Sequence, residues 1–176
     1  MELIDVVNEN DEVIGVKDKD AVHRDGDMHR AAKIYVINSK GEMLIHKRSE
    51  TKKLNPGLWD ITVGGHVRSG ETCEDAAQRE LKEELGIENT KLFEIGKWTG
   101  TPNASSPLEK LMIKIFLVKI NGDADDLVFD KAEISQIKFI KLTEMEKLCE
   151  NNTEKKRFVY TGDFKERVKT LRTFIK

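Results

Sequence analysis

Apolar and polar residues alternate in short runs along most of this chain. Leu3 to Val7 and Val13 to Val16 are β-type runs flanking the polar stretch Asn8 to Glu12, which predicts a hairpin. Lys17 to Met28 is polar. Ala31 to Asn38 and Glu42 to Arg48 form a second strand pair across the turn Ser39-Lys40-Gly41. Ser49 to Gly57 is a loop ending in Pro56-Gly57, followed by a short strand over Trp59 to Val63. Leu92 to Gly100 is a further strand, and Thr101 to Pro107, with two prolines and two serines, is a loop. Leu111 to Ile120 is apolar apart from Lys114 and Lys119, as in a central strand buried on both faces. The acidic, turn-rich segment Asn121 to Lys131 leads to a strand over Ile134 to Leu142. A short helix over Glu144 to Glu150 follows, with Thr143 as its cap. Phe164, Val168, Leu171 and Ile175 repeat at helical spacing and predict a terminal amphipathic helix with a basic, solvated face.

The period changes once in the middle of the chain, between Gly65 and Ile87. Cys73, Ala77, Leu81 and Leu85 recur every four residues, which predicts a helix over Cys73 to Leu85 with one buried stripe. Thr72 and Asp75 form a near capping box at its start, and Gly86 stands where a helix-terminating glycine belongs. Gly65 and Gly70 allow the chain to bend before the helix. Glu80, Glu83 and Glu84 cluster beside the stripe at i, i+3, i+4 and repel one another. A hard divalent cation converts that repulsion into ligation by oxygen, which suits Mg²⁺ or Mn²⁺. Arg79 reaches Glu83 one turn on, or orients Glu80 or Glu71.

Composition narrows the setting. The 176 residues are read as one domain, 1–176, divided into an N-terminal hairpin and loop (1–28), a core (29–150) and a C-terminal helix (151–176). Thirty basic and 32 acidic residues leave a formal net charge of −2, so no global basic field favours nucleic acid. Two cysteines make no disulfide framework, and Cys73 is read as a small buried residue. The start of the chain lacks a leader pattern, and no apolar run approaches the length of a membrane span, so a cytoplasmic protein without membrane contact is expected.

The stretch Gly65 to Ile87 reads G, five residues, E, seven residues, R-E, aliphatic, any, E-E, any, G, aliphatic. Nine such positions agree by chance in fewer than roughly one window in ten million. In this the chain resembles the Nudix hydrolases, over about Ala31 to Glu150. The resemblance implies an α/β fold, a mixed β-sheet in an α/β/α sandwich, here with an added N-terminal β-hairpin. It implies metal-dependent attack of water on a diphosphate linked to another moiety. It places metal ligands at Glu80 and Glu84, with Glu83 ligating or assisting and the carbonyl of Gly64 as a further ligand. Glu71, Arg79 and Gly65 become supporting positions. Catalytic carboxylates are expected among Glu83, Glu80 and Glu133, the last standing before the final core strand, with Asp130 a weaker candidate. The partner is a small-molecule diphosphate, and a homodimer is left open.

A second resemblance qualifies the first. His23, His29-Arg30-Ala31, Pro56-Gly57-Leu58-Trp59 and Gly65-His66 are similar to type I isopentenyl-diphosphate isomerase, which uses the same fold for proton transfer. That enzyme needs a cysteine just before the Gly-His pair, where this chain has Gly64. It also uses two glutamates spaced i, i+2, where this chain has Glu109 and Leu111. The isomerase-like branch of hydrolases therefore fits better, with proton transfer as the alternative and a nucleotide-sensing module without catalysis as a third reading. His66, Trp59 and Glu109 are candidate substrate contacts, Trp98 a weaker one, and His23 and His29 are taken as surface or loop residues.

Overall fold

The computed structural model describes residues 1–101, 109–159 and 164–175, and the side chains of Asn152 and Lys165 are not described. The loop expected over Thr101 to Pro107 lies almost wholly outside the described residues. The chain runs β1 (Leu3–Val7), β2 (Val13–Asp18), α1 (Lys19–Asp25), β3 (Met28–Asn38), β4 (Glu42–Arg48), β5 (Trp59–Asp60), α2 (Cys73–Leu85), β6 (Phe93–Gly100), β7 (Lys110–Ile120), β8 (Ile134–Lys141), α3 (Leu142–Glu150), α4 (Asn152–Lys155) and α5 (Phe164–Phe174).

All eight strands share one mixed sheet, with β3 as its hub. β7 pairs with β3 in parallel along its whole length, from Met28↔Lys110 to Asn38↔Ile120. Strand β1 joins the start of β3 through Val6↔His29, so the N-terminal hairpin extends the sheet at its edge. Strand β4 touches β3 only at Ile37↔Met43. Away from that rung the strands part, and residues 59–67 fill the gap. Asp60 pairs with His46 of β4, while Gly65 and Val63 accept from the β3 amides of Ala32 and Ile34 at 2.9 and 2.8 Å.

Alternation along β3 divides the core. Ala32, Ile34 and Val36 face α2 and meet Ala76, Ala77, Leu81 and Leu85. Tyr35 and Ile37 face the other way, toward Met145 of α3 and Phe164, Val168 and Leu171 of α5. Helices thus cover both faces of the sheet, as an α/β/α sandwich requires. No helix among the described residues is long and apolar enough to cross a membrane.

The helix α2 has the bounds its sequence predicts. Thr72 and Asp75 exchange a complete capping box, and Gly86 closes the helix at φ 66° with its N–H donated to Lys82 O at 3.1 Å. Four expectations are corrected. Cys73 is only half-buried, and Ala76 fills the stripe beside Ala77 instead. The segment after β2 contains helix α1, capped by the Asp18 side chain at Asp20 N and closed by Gly26. The strand expected over Trp59 to Val63 is regular only at Trp59–Asp60. α3 begins at Leu142 after Lys141, with no side-chain cap, so Thr143 lies inside the helix.

Gly86→Ala is expected to cost about 1–2 kcal/mol through the left-handed backbone alone. The added Cβ would also stand 2.9 Å from the carbonyl of Val128. Urea denaturation measures the sum, and a change below about 0.5 kcal/mol would refute this account of the cap.

Candidate active site

Helix α2 presents its carboxylates where β3 and β4 diverge, and one arginine organises them. Arg79 grips Glu71 with two parallel bonds, Nε to Oε1 at 2.8 Å and Nη2 to Oε2 at 3.0 Å. Its Nη1 donates to Glu80 Oε1 at 2.6 Å and Glu83 Oε2 at 3.3 Å, and its Nη2 also reaches the His66 carbonyl at 2.9 Å. Of the roles open to Arg79 in the sequence, it takes all three. Burial works against its charge, but Glu71 and Glu80 outweigh this and raise its pKa. Arg79 in turn holds the Glu71 carboxyl below its usual range, and Glu71 accepts from Arg68 N at 2.9 Å. Glu71 thereby pins the turn that carries Gly70.

Of the two glycines before the helix, Gly64 is required by the backbone and Gly65 leaves room for the Glu80 carboxylate. A Cβ on Gly65 would stand 2.4 Å from Glu80 Oε1. Gly64 lies at φ 139°, and a Cβ there would stand 2.1 Å from the backbone oxygen of Ala32.

Glu84 is half-buried and has no counter-charge as close as the one Glu80 enjoys. Burial first, and the adjacent Glu80 second, push its carboxyl up to about 8. Such a crowd of carboxylates is a site short of positive charge, and Glu80, Glu83 and Glu84 are hard oxygen donors of the kind that could hold a Mg²⁺ or Mn²⁺ ion. Glu133 stands before β8, ion-paired to Lys52, and its charge acts on Glu84. Its carbonyl accepts from Ser49 N at 2.9 Å, which fastens the loop after β4 to the turn before β8.

A second group of ligands lies on the other side of Gly65. His23 of α1, His29 at the start of β3, His66 and Glu109 each offer one donor atom, all within 4.8 Å of one another. His29 is fully buried; its Nδ1–H donates to the Asp27 carbonyl at 3.0 Å, which leaves the Nε2 lone pair buried without a partner. Nε2 of His23 stands 3.3 Å from Nε2 of His66. Burial, and then the charge of His29, hold His66 down at about 2; burial also lowers His29. His29 and His66 are thus held toward the neutral form, and the ring nitrogens of all three histidines converge on one point, which suits a borderline divalent ion such as Zn²⁺ or Mn²⁺. His23 and His29 are therefore not surface groups, and Glu109 joins them. Their placement at a strand start and beside a glycine turn was visible in the sequence, but their convergence depends on α1, which the polar pattern hid.

Trp59 is 9% exposed and packs in the core, with Lys138 5.0 Å above its ring, so it offers no face for stacking. Trp98 packs against the same core.

The NUDIX domain profile matches residues 27–161. The chain belongs to the Nudix family. It is similar to an uncharacterised Nudix hydrolase of Nostoc sp., 43% identical over 98 residues, 53% of this chain and 58% of that protein. The chain thus spans little more than half that relative's length. It is also similar to isopentenyl-diphosphate Δ-isomerase 2 of Photorhabdus laumondii, 31% identical over 97% of this chain and 92% of the relative. Among solved structures, DR0079 of Deinococcus radiodurans superposes with a TM-score of 0.73 at 27% identity, covering 96% of this chain and 98% of that one.

Glu84 gives a pH test. Its folded pKa is raised from 4.5 to about 8, so the folded protein binds the extra proton and is favoured below pH 4.5. That stability, on the order of a few kcal/mol, is lost as pH rises through 8 in metal-free buffer. Glu84→Gln should flatten this slope in urea titrations between pH 5 and 9, and Mg²⁺ affinity should rise with pH until about 8. An unchanged slope in the variant would remove Glu84 as its source.

Proposed function

We propose that this protein is a metal-dependent hydrolase that cleaves a diphosphate linked to another moiety, such as a nucleoside diphosphate derivative. The observation that carries the reading is the Arg79 web: it fixes Glu71, Glu80 and Glu83 around one point and leaves the neighbouring Glu84 carboxyl, raised by burial and by Glu80, for a cation to ionise and bind. Glu80 and Glu84, with Glu83 and the Gly64 carbonyl, would hold Mg²⁺ or Mn²⁺. When bound, that ion supplies charge neutralisation on the diphosphate and acidification of water. Glu83 or Glu133 accepts the proton as the water oxygen bonds to phosphorus. The bridging P–O bond breaks and a monophosphate leaves. Arg79 keeps Glu80 aimed, and the Gly64–Gly65 turn leaves room for its carboxylate. The His23–His29–His66–Glu109 group is read as a second, nitrogen-rich metal site beside the first.

That second group is also the observation that favours the alternative, an isomerase transferring protons on an allylic diphosphate. Against it stands Gly64. The backbone there is in a glycine conformation and pressed against Ala32 O, so position 64 has no space for the cysteine an isomerase needs. Gly64→Cys is therefore expected to lower stability and yield no isomerisation of isopentenyl diphosphate; product in that assay would overturn the preference for hydrolysis.

The deciding experiment is a panel of nucleoside di- and triphosphates, dinucleotide polyphosphates, nucleotide sugars, NADH, coenzyme A and isopentenyl diphosphate, assayed with Mg²⁺ or Mn²⁺. Hydrolysis of at least one member is expected. Glu80→Gln should lower kcat by roughly two orders of magnitude or more with folding unchanged by circular dichroism. Full activity in that variant would sink the assignment. For the second site, Zn²⁺ titration should raise the Tm of the wild type, and His29→Ala should abolish the increment while Glu80→Gln keeps it.

A further inference from the structure

We propose that Lys33 is the phosphate-binding cation of this cleft, its ammonium group pairing with a non-bridging oxygen of the diphosphate held beside the α2 carboxylates. The proposal rests on the reading of the cleft as a diphosphate site. It begins from a problem of charge: Glu80, Glu83, Glu84 and Glu133 would repel a polyanion, so the cleft needs a cation that is not already spent on protein carboxylates. Arg79 is tied to Glu71, Glu80 and Glu83, and Lys52 is tied to Glu133. Lys33 is half-buried, yet among the described residues its amine makes no hydrogen bond or ion pair. Withdrawing an ammonium from water without a partner costs free energy, which an anionic ligand would recover.

Its position fits that use. Lys33 lies between the two β3 residues, Ala32 and Ile34, whose amides bond to Gly65 O and Val63 O, and so runs alongside Gly64. This is the stretch of β3 that has parted from β4 beyond Ile37↔Met43. The alternation of β3 sets Lys33 on the face opposite Ala32 and Ile34, which are packed against α2. Its charge acts on groups from every side of the gap: Glu84 on α2, Asp60 on β5, His46 on β4 and His66 on the glycine turn. Lys33 therefore lies on the strand beside the 63–66 turn, which carries His66 and faces Glu80, within reach of a diphosphate held at that turn.

The competing account is structural: Lys33 offsets the buried Asp60 carboxylate, which bonds to Thr62 N at 3.1 Å and Thr62 Oγ1 at 3.2 Å. Calorimetric titration of inorganic pyrophosphate into the Mg²⁺-loaded protein separates the two. Lys33→Met should weaken pyrophosphate about 10- to 100-fold, the range for one charge-assisted hydrogen bond. Lys33→Arg should restore most of the affinity, and neither should weaken Mg²⁺ alone. With a hydrolysed substrate from the panel, KM should rise while kcat changes less. Equal pyrophosphate affinity in wild type and Lys33→Met, with a lowered Tm, would assign Lys33 to Asp60 and overturn the proposal, as would a wild type that binds no pyrophosphate. Lys33→Gln replaces the methionine variant if that one does not fold. Lys33-dependent pyrophosphate binding without hydrolysis of any panel member would sink the hydrolase reading and leave this inference standing; hydrolysis with KM unchanged in Lys33→Met would do the reverse.

Discussion

The site depends on holding like charges together. Four glutamates converge at one end of α2, and their mutual repulsion would spread them into solvent if nothing opposed it. Arg79 opposes it, because a planar guanidinium can serve several carboxylates at fixed angles where an ammonium cannot. The bidentate grip on Glu71 anchors the arginine, and its remaining N–H groups then set Glu80 and Glu83. The bond to the His66 carbonyl links the helix to the glycine turn, and through His66 to the imidazole group. One side chain thus connects the two candidate metal sites.

The fold serves this arrangement by failing to close. A sheet in which β3 and β4 paired along their length would leave no room for the chain to cross between them. Their single rung at Ile37↔Met43 lets residues 59–67 pair partly with each strand. Gly64 then passes so close to Ala32 O that no side chain fits, and a side chain on Gly65 would displace the Glu80 carboxylate. The rest of the sheet is conventional: the long parallel contact between β3 and β7, with helices packed on both faces, supplies the rigidity that fixes the open end.

The legible parts of the sequence were those set by local rules. The bounds of α2 followed from Thr72, Asp75 and Gly86, whose chemistry acts within a turn, and the β3–β4 strand pair followed from two apolar runs flanking the turn Ser39-Lys40-Gly41. Helix α1 was missed because seven polar-flanked residues bury only Val22 and carry no apolar period. Thr143 looked like a cap, but the strand runs directly into α3 and the extended cap residue is Lys141, two positions earlier, so the threonine is already helical. His23 and His29 were undervalued for a related reason: a histidine is a ligand only by virtue of its neighbours, and these neighbours come from α1, β3, the glycine turn and the residue before β7. Lys33 shows the same limit, since a lysine within a strand pattern gives no hint that its amine lacks a carboxylate.

The two ligand groups differ in a way that bears on how the family's chemistries diverge. The carboxylate group offers only oxygen, and the imidazole group offers three nitrogens and one carboxylate, so the two select different cations by hardness. Both flank the same turn, 64–66, and residue 64 stands between them. The proposed alternative, proton transfer, would need an acidic side chain at that position. In this chain the backbone itself occupies the place: φ at Gly64 and the approach of Ala32 O leave a carbonyl and no side chain. One backbone conformation thus decides that position 64 brings no side chain to the space between the two groups.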